Sequence, residues 1–532
     1  MSQPNVLFIM TDQQRFDTIA ALGNEHIYTP NLDRLVRRGV TFTNAYSPCP
    51  VCVPARYAIR TGCEPPTTRS FTNGIARPAP GQAATMEGRC GPYLGKTMHD
   101  LGYRTFGIGK FHSNPWDEEL GFEVHLHSEE LYGTPDQRAR DGFAGWIARE
   151  HPEFDYIEAL MGERTEMYYM PQVSPLPAEL TVERWAADRA VEQIAADDGR
   201  PYFGFVSFVG PHPPFAPPVP FNRMYDPDRM PDPVRGDLAV DHLDEQIPWM
   251  NYLIWAEDIN DSHARVLKAR YYGEISYIDD CLGRILDTVE ARKDAANTVI
   301  CFFADHGDHL GDHHAWQKES FFEASCHIPF LVSWPARLPA DVRRGELVSL
   351  VDLFGIATGA ATADGRRTTG DGRPPTVDLR DGDDLLGVLA GTARPREYLT
   401  SMYGEPGTPL FKIMIRQGPW KYIFLANGGR EQLFNLAEDS QELHNQLAAP
   451  TTLQIRLLPE DQPPSEAPVD VARRLRRLAV QRCTVPGAAA ALLGNDLRAF
   501  PYRERPRGRI YQFDRSRGVA GFPARPEDAL KK

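Results

Sequence analysis

No stretch of this 532-residue chain approaches the roughly 18 consecutive apolar residues that a bilayer crossing needs, so no membrane span is expected. Neither a basic segment nor a small-residue cleavage site precedes the first apolar run, Val6-Leu7-Phe8-Ile9-Met10, so a secretory leader is not expected and the cytoplasm is the expected location. Positive charge is in deficit: 58 Lys and Arg against 72 Asp and Glu give a net charge of −14, which argues against general nucleic-acid binding. Any site for an anion must therefore build its own local positive field. Cysteine is sparse and scattered, at positions 49, 52, 63, 90, 281, 301, 326 and 483. That distribution reads as small core residues in a reducing compartment rather than a disulfide framework. Cys49 and Cys52 form a single Cys-x-x-Cys, without the second pair or neighbouring histidines of a zinc site and outside the context of a small oxidoreductase. There is no internal repeat.

Hydrophobic patterning supplies the architecture. Short apolar runs at Val6–Met10, Arg104–Ile108, Tyr202–Phe208, Thr298–Ala304 and Pro329–Trp334 read as strands. Helical spacing alternates with them at Asn31–Arg38, Leu94–Leu101, Leu180–Ile194 and, most clearly, Tyr271–Val289, where Ile275, Ile278, Leu282, Ile285 and Val289 share one face. This alternation predicts an α/β fold with a large, mainly parallel sheet sandwiched by helices. Pro211–Pro220 holds six prolines and must be an irregular loop. Asp364–Pro375, rich in Gly, Arg, Thr and Pro, reads as an exposed connection. Beyond it the texture changes. Leu399–Tyr403, Phe411–Gln417, Trp420–Phe424 and Gln432–Leu436 are short strands separated by turn residues, which predicts a smaller antiparallel sheet. An amphipathic helix at Val469–Val480 and an extended, arginine-rich tail follow. The expected units are residues 1–395, 396–485 and 486–532, the last an arm for a homo-oligomer, dimer or tetramer.

In parallel sheets, ligand sites gather beyond the carboxyl ends of strands. Two predicted strands end in acids: Val6–Met10 runs into Thr11-Asp12-Gln13, and Thr298–Ala304 runs into Asp305-His306-Gly307-Asp308. Asp12, Gln13, Asp305 and His306 would form an oxygen-rich set with one nitrogen, suited to Ca²⁺ or Mn²⁺ rather than to structural zinc. His309, His313 and His314 follow closely and are expected to shape the loop. Asp308 and Asp312 are expected to be solvated or to lie behind the ligands.

The most informative segment is Cys52-Val53-Pro54-Ala55-Arg56. A thiol at an apparent helix start, with Pro54 suited to the first turn and Arg56 one turn in, makes an electropositive pocket for an anion. This segment resembles the Cys-x-Pro-Ser/Ala-Arg signature of the type I, formylglycine-dependent sulfatases of the alkaline phosphatase superfamily. Asp12-Gln13, Asp305-His306, Gly109-Lys110-Phe111-His112, Pro211-His212-Pro213 and Lys318 match further motifs of that family, over roughly residues 4–450. Gln13 and His306, in place of the commoner aspartate and asparagine, resemble the choline-sulfatase and phosphonate-monoester-hydrolase branch, as does Asn73. Lys110 and His112 lean toward sulfatases proper.

The resemblance implies an alkaline-phosphatase-like fold and the hydrolysis of sulfate monoesters, in the manner of an arylsulfatase. It implies that Cys52 is oxidised to formylglycine (3-oxoalanine) by a formylglycine-generating enzyme or equivalent, and that its hydrate attacks sulfur to give a covalent sulfo-enzyme intermediate. It implies one divalent ion held by Asp12, Gln13, residue 52, Asp305 and His306. Arg56 would hold the second oxygen of the nucleophile. Lys110, Lys318, His212 and Asn73 would meet the substrate, with His212 or Lys318 on the leaving oxygen and His112 as the base for elimination. Two rivals stand beside this reading: a phosphonate monoester or phosphodiester hydrolase on the same scaffold, and a non-catalytic anion-binding protein with unmodified Cys52. Tyr156, Tyr168, Tyr169, Trp249 and Trp255 could line the pocket or belong to local core.

Overall fold

The run Val6–Met10 is the middle of the molecule's main sheet, and its five side chains are at most 1% exposed. The computed structural model describes residues 3–505 except 75, 80, 130–134, 155–168, 254–259, 364–376 and 448–466. The main sheet comprises β1 (Asn5–Thr11), β2 (Val40–Tyr46), β3 (Arg104–Gly109), β4 (Val124–His127), β5 (Tyr202–Ser207), β6 (Thr298–Ala304), β7 (Phe330–Ser333) and β8 (Val342–Ser349), in the order β4-β3-β5-β1-β6-β7-β2-β8. Neighbours run parallel except at β7, which is antiparallel to both β6 and β2.

Strand alternation feeds two cores at once. Leu7 and Ile9 of β1, with Ile300 and Phe302 of β6, face a core built with helices Val182–Ala195 and Asp261–Glu290. Val6, Phe8 and Met10, with Val299, Cys301 and Phe303, face the opposite core, built with helices Cys52–Thr61 and Asp352–Thr362. A strand covered on both faces reads as a continuous apolar run, which is why β1 and β6 are visible in the sequence. Burial of each large aliphatic side chain there contributes roughly 1.5–3 kcal/mol. The helices used below are α1 (Pro30–Arg38), α2 (Cys52–Thr61), α3 (Val182–Ala195), α4 (Gln246–Leu253), α5 (Asp261–Glu290), α6 (Asp352–Thr362) and α7 (Pro468–Arg482). Helix α5 starts ten residues before the expected Tyr271, because the Asn260 side chain caps it by accepting from the His263 N–H.

The second sheet is antiparallel throughout: β9 (Leu399–Tyr403), β10 (Lys412–Gln417), β11 (Trp420–Leu425) and β12 (Arg430–Asn435), ordered β12-β11-β10-β9. Ile413, Ile415, Tyr422, Phe424 and Leu433 pack on α7 through Val471, Leu475 and Ala479. The other face, with Met414, Ile423, Leu425 and Phe434, packs on Tyr46, Cys49, Val51, Phe321 and Phe322. The small sheet therefore backs the chain segments just before Cys52 and just after Lys318. Among the described residues no helix is long and apolar enough to cross a membrane.

Candidate active site

Strands β1 and β6 are in register, with Thr11 opposite Ala304, so Asp12 and Asp305 leave the sheet side by side. Between them enters the start of α2, whose first residue is Cys52. Ligand atoms of Asp12, Cys52, Asp305 and His306 all lie within 4.8 Å of one another, and all four residues are buried. Cys52 Sγ is 3.7 Å from Asp12 Oδ1 and 3.3 Å from His306 Nε2. His306 Nδ1 is 3.0 Å from the Gly307 carbonyl oxygen, which can only accept. In the neutral ring the proton therefore sits on Nδ1, and Nε2 presents its lone pair to both carboxylates, at 3.7 Å from Asp12 and 3.6 Å from Asp305. A preset tautomer, two carboxylates and a convergent centre are what a divalent ion requires, and the donor set fits one.

Three buried cations surround these groups. Lys110 Nζ lies 2.6 Å from Asp12 Oδ2. Lys318 Nζ lies 3.0 Å from Cys52 Sγ and 2.7 Å from Gln13 Oε1. Arg56 donates through Nε to Asp305 Oδ2 at 3.1 Å, through Nη2 to Asp12 Oδ2 at 2.9 Å, and through Nη1 to Ser207 Oγ at 3.1 Å and to the Lys110 carbonyl. The guanidinium thus clamps the two carboxylates. With the unmodified thiol at position 52, the hydrogen bonds of Arg56 among the described residues go to the two carboxylates, Ser207 and the Lys110 carbonyl.

Charge balance sets the ionisation. Burial alone would raise the Asp12 carboxyl, but Lys110, His212, Arg56 and Lys318 hold it well below the usual carboxylate range. Asp305 is pushed up, by burial and then by the charge of Asp12. Burial and Asp12 work against ionisation of Cys52, yet Lys318, His306 and Lys110 bring its pKa well below the usual thiol range. Position 52 therefore sits in a field that favours a negative atom. The thiol sulfur occupies the place that an oxidised residue's oxygen would take.

Gln13 stands at the edge of the cluster in the left-handed region, φ 69°. Its N–H donates to Asp305 Oδ1 at 3.0 Å, and its side-chain amine donates to Asp308. Its side-chain oxygen already accepts from Lys318; a second lone pair leaves room for a cation. Asp308 is buried and accepts from Tyr169 OH as well as Gln13, so it is not solvated but holds Gln13 from behind. Asp312 is buried too and pairs with Arg15 at 2.8 Å. His309 bonds to Ser320, His313 to Asp241 and His314 to the Gly236 carbonyl, all apart from the ion-type cluster.

The strand β3 ends at Gly109, φ 98°, where an added Cβ would sit 2.0 Å from the Ser207 carbonyl oxygen; only glycine lets the chain turn Lys110 inward. The backbone N–H groups of Phe111 and His112 both donate to Glu129, which also lies 2.6 Å from His127 Nε2. Among the described residues no hydrogen bond joins His112 to position 52, and its buried Nδ1 has no hydrogen-bond partner. His212 is buried, with Nδ1 2.7 Å from the Pro213 carbonyl oxygen, and lies close enough to stabilise the charge of Asp12. Asn73 is exposed beside the nucleophile helix, and its Oδ1 accepts from the Val53 N–H at 3.0 Å, capping the first turn. Tyr169 belongs to local core, edge-on to Phe215 and Trp316. Trp249 is half-buried on α4. Tyr156, Tyr168, Trp255, the segment 364–375 and the tail from 506 lie outside the described residues.

Sequence reasoning missed Ser207, Glu129 and the Tyr169–Asp308 support. Ser207 ends a strand adjacent to β1, so the strand-end rule could have found it; Glu129 carries no comparable signal.

Residues 4–363 match the family model described as Sulfatase. The chain is 27% identical over 461 residues to an arylsulfatase of Clostridium perfringens, covering 83% of this chain and 90% of that protein. It is 28% identical over 463 residues to a choline-sulfatase of Rhizobium meliloti, covering 83% and 82%. Its fold is similar to that of a phosphonate monoester hydrolase of Agrobacterium radiobacter, with a TM-score of 0.68 at 24% identity over 90% of this chain and 96% of that one.

Proposed function

This chain belongs to the sulfatase family, and we propose that it hydrolyses sulfate monoesters of small alcohols or phenols, with a formylglycine made from Cys52 as the attacking residue. One observation carries the reading: the atom at position 52 touches an ion-type ligand, His306, at 3.3 Å and a buried lysine, Lys318, at 3.0 Å. A nucleophile, a cation site and a charge stabiliser thus share one point. Three buried cations, Arg56, Lys110 and Lys318, stand against the carboxylates of Asp12 and Asp305, so the site favours an anion in a protein of net charge −14.

A divalent ion held by Asp12, Gln13, Asp305, His306 and residue 52, either Ca²⁺ or Mn²⁺, would acidify the attacking oxygen and neutralise charge on the ester group. A hydrated aldehyde at position 52 would supply that oxygen and a second hydroxyl. The rest is work for the chain's own side chains. Lys110 and Lys318 are fixed cations in a site closed to water, placed to stabilise charge that grows on the transferred group. Lys318 remains charged: burial opposes this, but the Cys52 and Asp12 charges raise its pKa. His212, buried beside Asp12, would deliver a proton to the leaving oxygen. The buried Nδ1 of His112, without a partner among the described residues, would accept the proton that drives release of the product. The side-chain amide N–H groups of the exposed Asn73 would be the donors offered to the substrate from the rim.

Residues 1–395 are proposed as the catalytic unit, 396–485 as its supporting subdomain and 486–532 as an arm. Maturation requires a formylglycine-generating activity in the same compartment, taken to be the cytoplasm. Sulfate monoesters, phosphodiesters and phosphonate monoesters each carry one negative charge, so one pocket can admit all three. The test is kcat/KM for nitrophenyl sulfate beside a phenylphosphonate monoester, with C52A as the blank. The proposal expects the sulfate ester to lead; a large preference for phosphorus would transfer the assignment to the phosphonate branch.

A further inference from the structure

Lys318 is carried by a backbone that does not hold itself. Its two neighbours, Gln317 and Glu319, both have φ 71°, in the left-handed region that is strained for a non-glycine residue. Such a segment persists only if its surroundings fix it. Gln317 is held by Tyr169 and His309, and Glu319 is the anchor on the other side of Lys318. Its N–H donates to the Pro50 carbonyl at 3.0 Å, and its carboxylate accepts from Tyr403 OH at 2.6 Å and from the Gln246 side-chain amine.

Gln246 is buried at the start of α4, and its amide is oriented from the other side by the C-terminal segment. Arg505 donates through Nη1 to Gln246 Oε1, and its guanidinium lies 3.3 Å over the Trp249 ring. A guanidinium can only donate and a carboxylate can only accept, so Arg505 and Glu319 together permit a single orientation of the amide between them. The segment that brings Arg505 there is itself docked. Phe500 exchanges backbone hydrogen bonds with Ala426 and Gly428 at 2.8 and 2.9 Å; the Asn427 side chain accepts from the Arg503 N–H at 2.9 Å and donates to the Arg503 carbonyl at 2.8 Å. Tyr502 OH and the Arg505 N–H both reach the Glu245 carboxylate, at 2.8 and 3.2 Å.

We propose that Arg505 is a positioning residue for Lys318, acting through Gln246 and Glu319, so that the start of the C-terminal arm supports the catalytic unit of its own chain. The inference rests on the reading of Lys318 as the cation at the reacting centre. Its structural half, that Arg505 holds residues 317–319 in place, can be judged without turnover.

The test uses the full-length, matured protein. Arg505→Ala should lower kcat on nitrophenyl sulfate between about 10- and 100-fold with little change in KM. Hydrogen exchange, followed by mass spectrometry, should become faster in peptides spanning 316–322 while those of β1 and β6 are unchanged. Arg505→Lys, which keeps a donor for Gln246, should recover most of kcat. Arg503→Ala, whose side chain is outside the relay, should behave as wild type. Wild-type kcat in Arg505→Ala, or loss of kcat with unaltered exchange at 316–322, overturns the proposal. If the wild type turns over no sulfate ester, the functional reading fails and the exchange comparison alone decides the positioning role.

Discussion

Arg56 reaches Asp305 with its Nε at 3.1 Å, and the same guanidinium reaches Asp12 at 2.9 Å, so one cation spans the two carboxylates at the ends of adjacent strands. All three side chains are at most 2% exposed. The arginine therefore works on the ligand set from behind. It fixes the rotamers of both acids and offsets their mutual repulsion before any ion arrives.

Arg56→Lys should accordingly damage metal affinity more than substrate affinity. A lysine is a point donor and cannot span both acids. Ion binding followed by calorimetry should weaken by about 10–100-fold, as for other groups that orient metal ligands. The apoprotein should also lose stability, because a single ammonium leaves one acid without its bond to residue 56. Unchanged Mn²⁺ or Ca²⁺ affinity in this variant would show that the clamp is dispensable.

Chelation should destabilise the fold. Asp305 is pushed up by burial and by Asp12, so the two acids oppose each other without a cation between them. An ion bound only by the folded state, supplied at 1,000 times its dissociation constant, contributes about 4 kcal/mol. The melting temperature should fall on addition of chelator and return with excess Ca²⁺ or Mn²⁺. His306→Ala should blunt both responses. A melting temperature indifferent to chelator would mean that the site binds no structural amount of ion.

Glu129 gives a pH signature. It is buried and lowered from 4.5 to about 2: burial opposes this, but the hydrogen bond and charge of His127, then His112 and Lys110, outweigh it. A depressed folded pKa means that the stabilisation is complete above pH 4.5 and disappears as pH falls toward 2. At 1.36 kcal/mol per pH unit its full size is about 3 kcal/mol. Asp141, raised to about 6 chiefly by burial, acts in the opposite sense and is common to both proteins compared. The melting-temperature deficit of Glu129→Gln should therefore be largest near neutrality and shrink between pH 4.5 and 2. A deficit independent of pH would assign the residue a purely steric role.

Lys421 joins the small sheet to the catalytic side. Its buried ammonium lies 2.7 Å from Glu323 and 2.8 Å from Glu442. Lys421→Met strands two carboxylates in the interior and should cost about 3–5 kcal/mol in urea unfolding. Because Glu323 follows Lys318 by five residues, activity at 25 °C should fall before the main core melts. Equal loss of both in one transition would contradict separate docking of the small sheet.

What the sequence disclosed follows from burial. β1 and β6 are buried on both faces and appear as unbroken apolar runs. β4 (Val-His-Leu-His) is only half-buried and β8 (Val-Arg-Arg-Gly-Glu-Leu-Val-Ser) alternates exposure at a sheet edge, so neither shows a strand pattern strong enough to read. β2 was hidden by its threonines and Asn44. In the site, Asp12, Asp305 and His306 were legible because strand ends collect ligands. The direction of Arg56 was not, since a motif gives residue types and not the acceptors they meet. The Arg505–Gln246–Glu319 relay joins residues 73 and 259 positions apart and has no local signature at all.

Mass measurement of the tryptic peptide Gly39–Arg56, taken from protein that turns over nitrophenyl sulfate, bears most directly on the chemistry assigned to position 52. An aldehyde or its hydrate at that position is the predicted result. An unmodified thiol throughout an active preparation would contradict it.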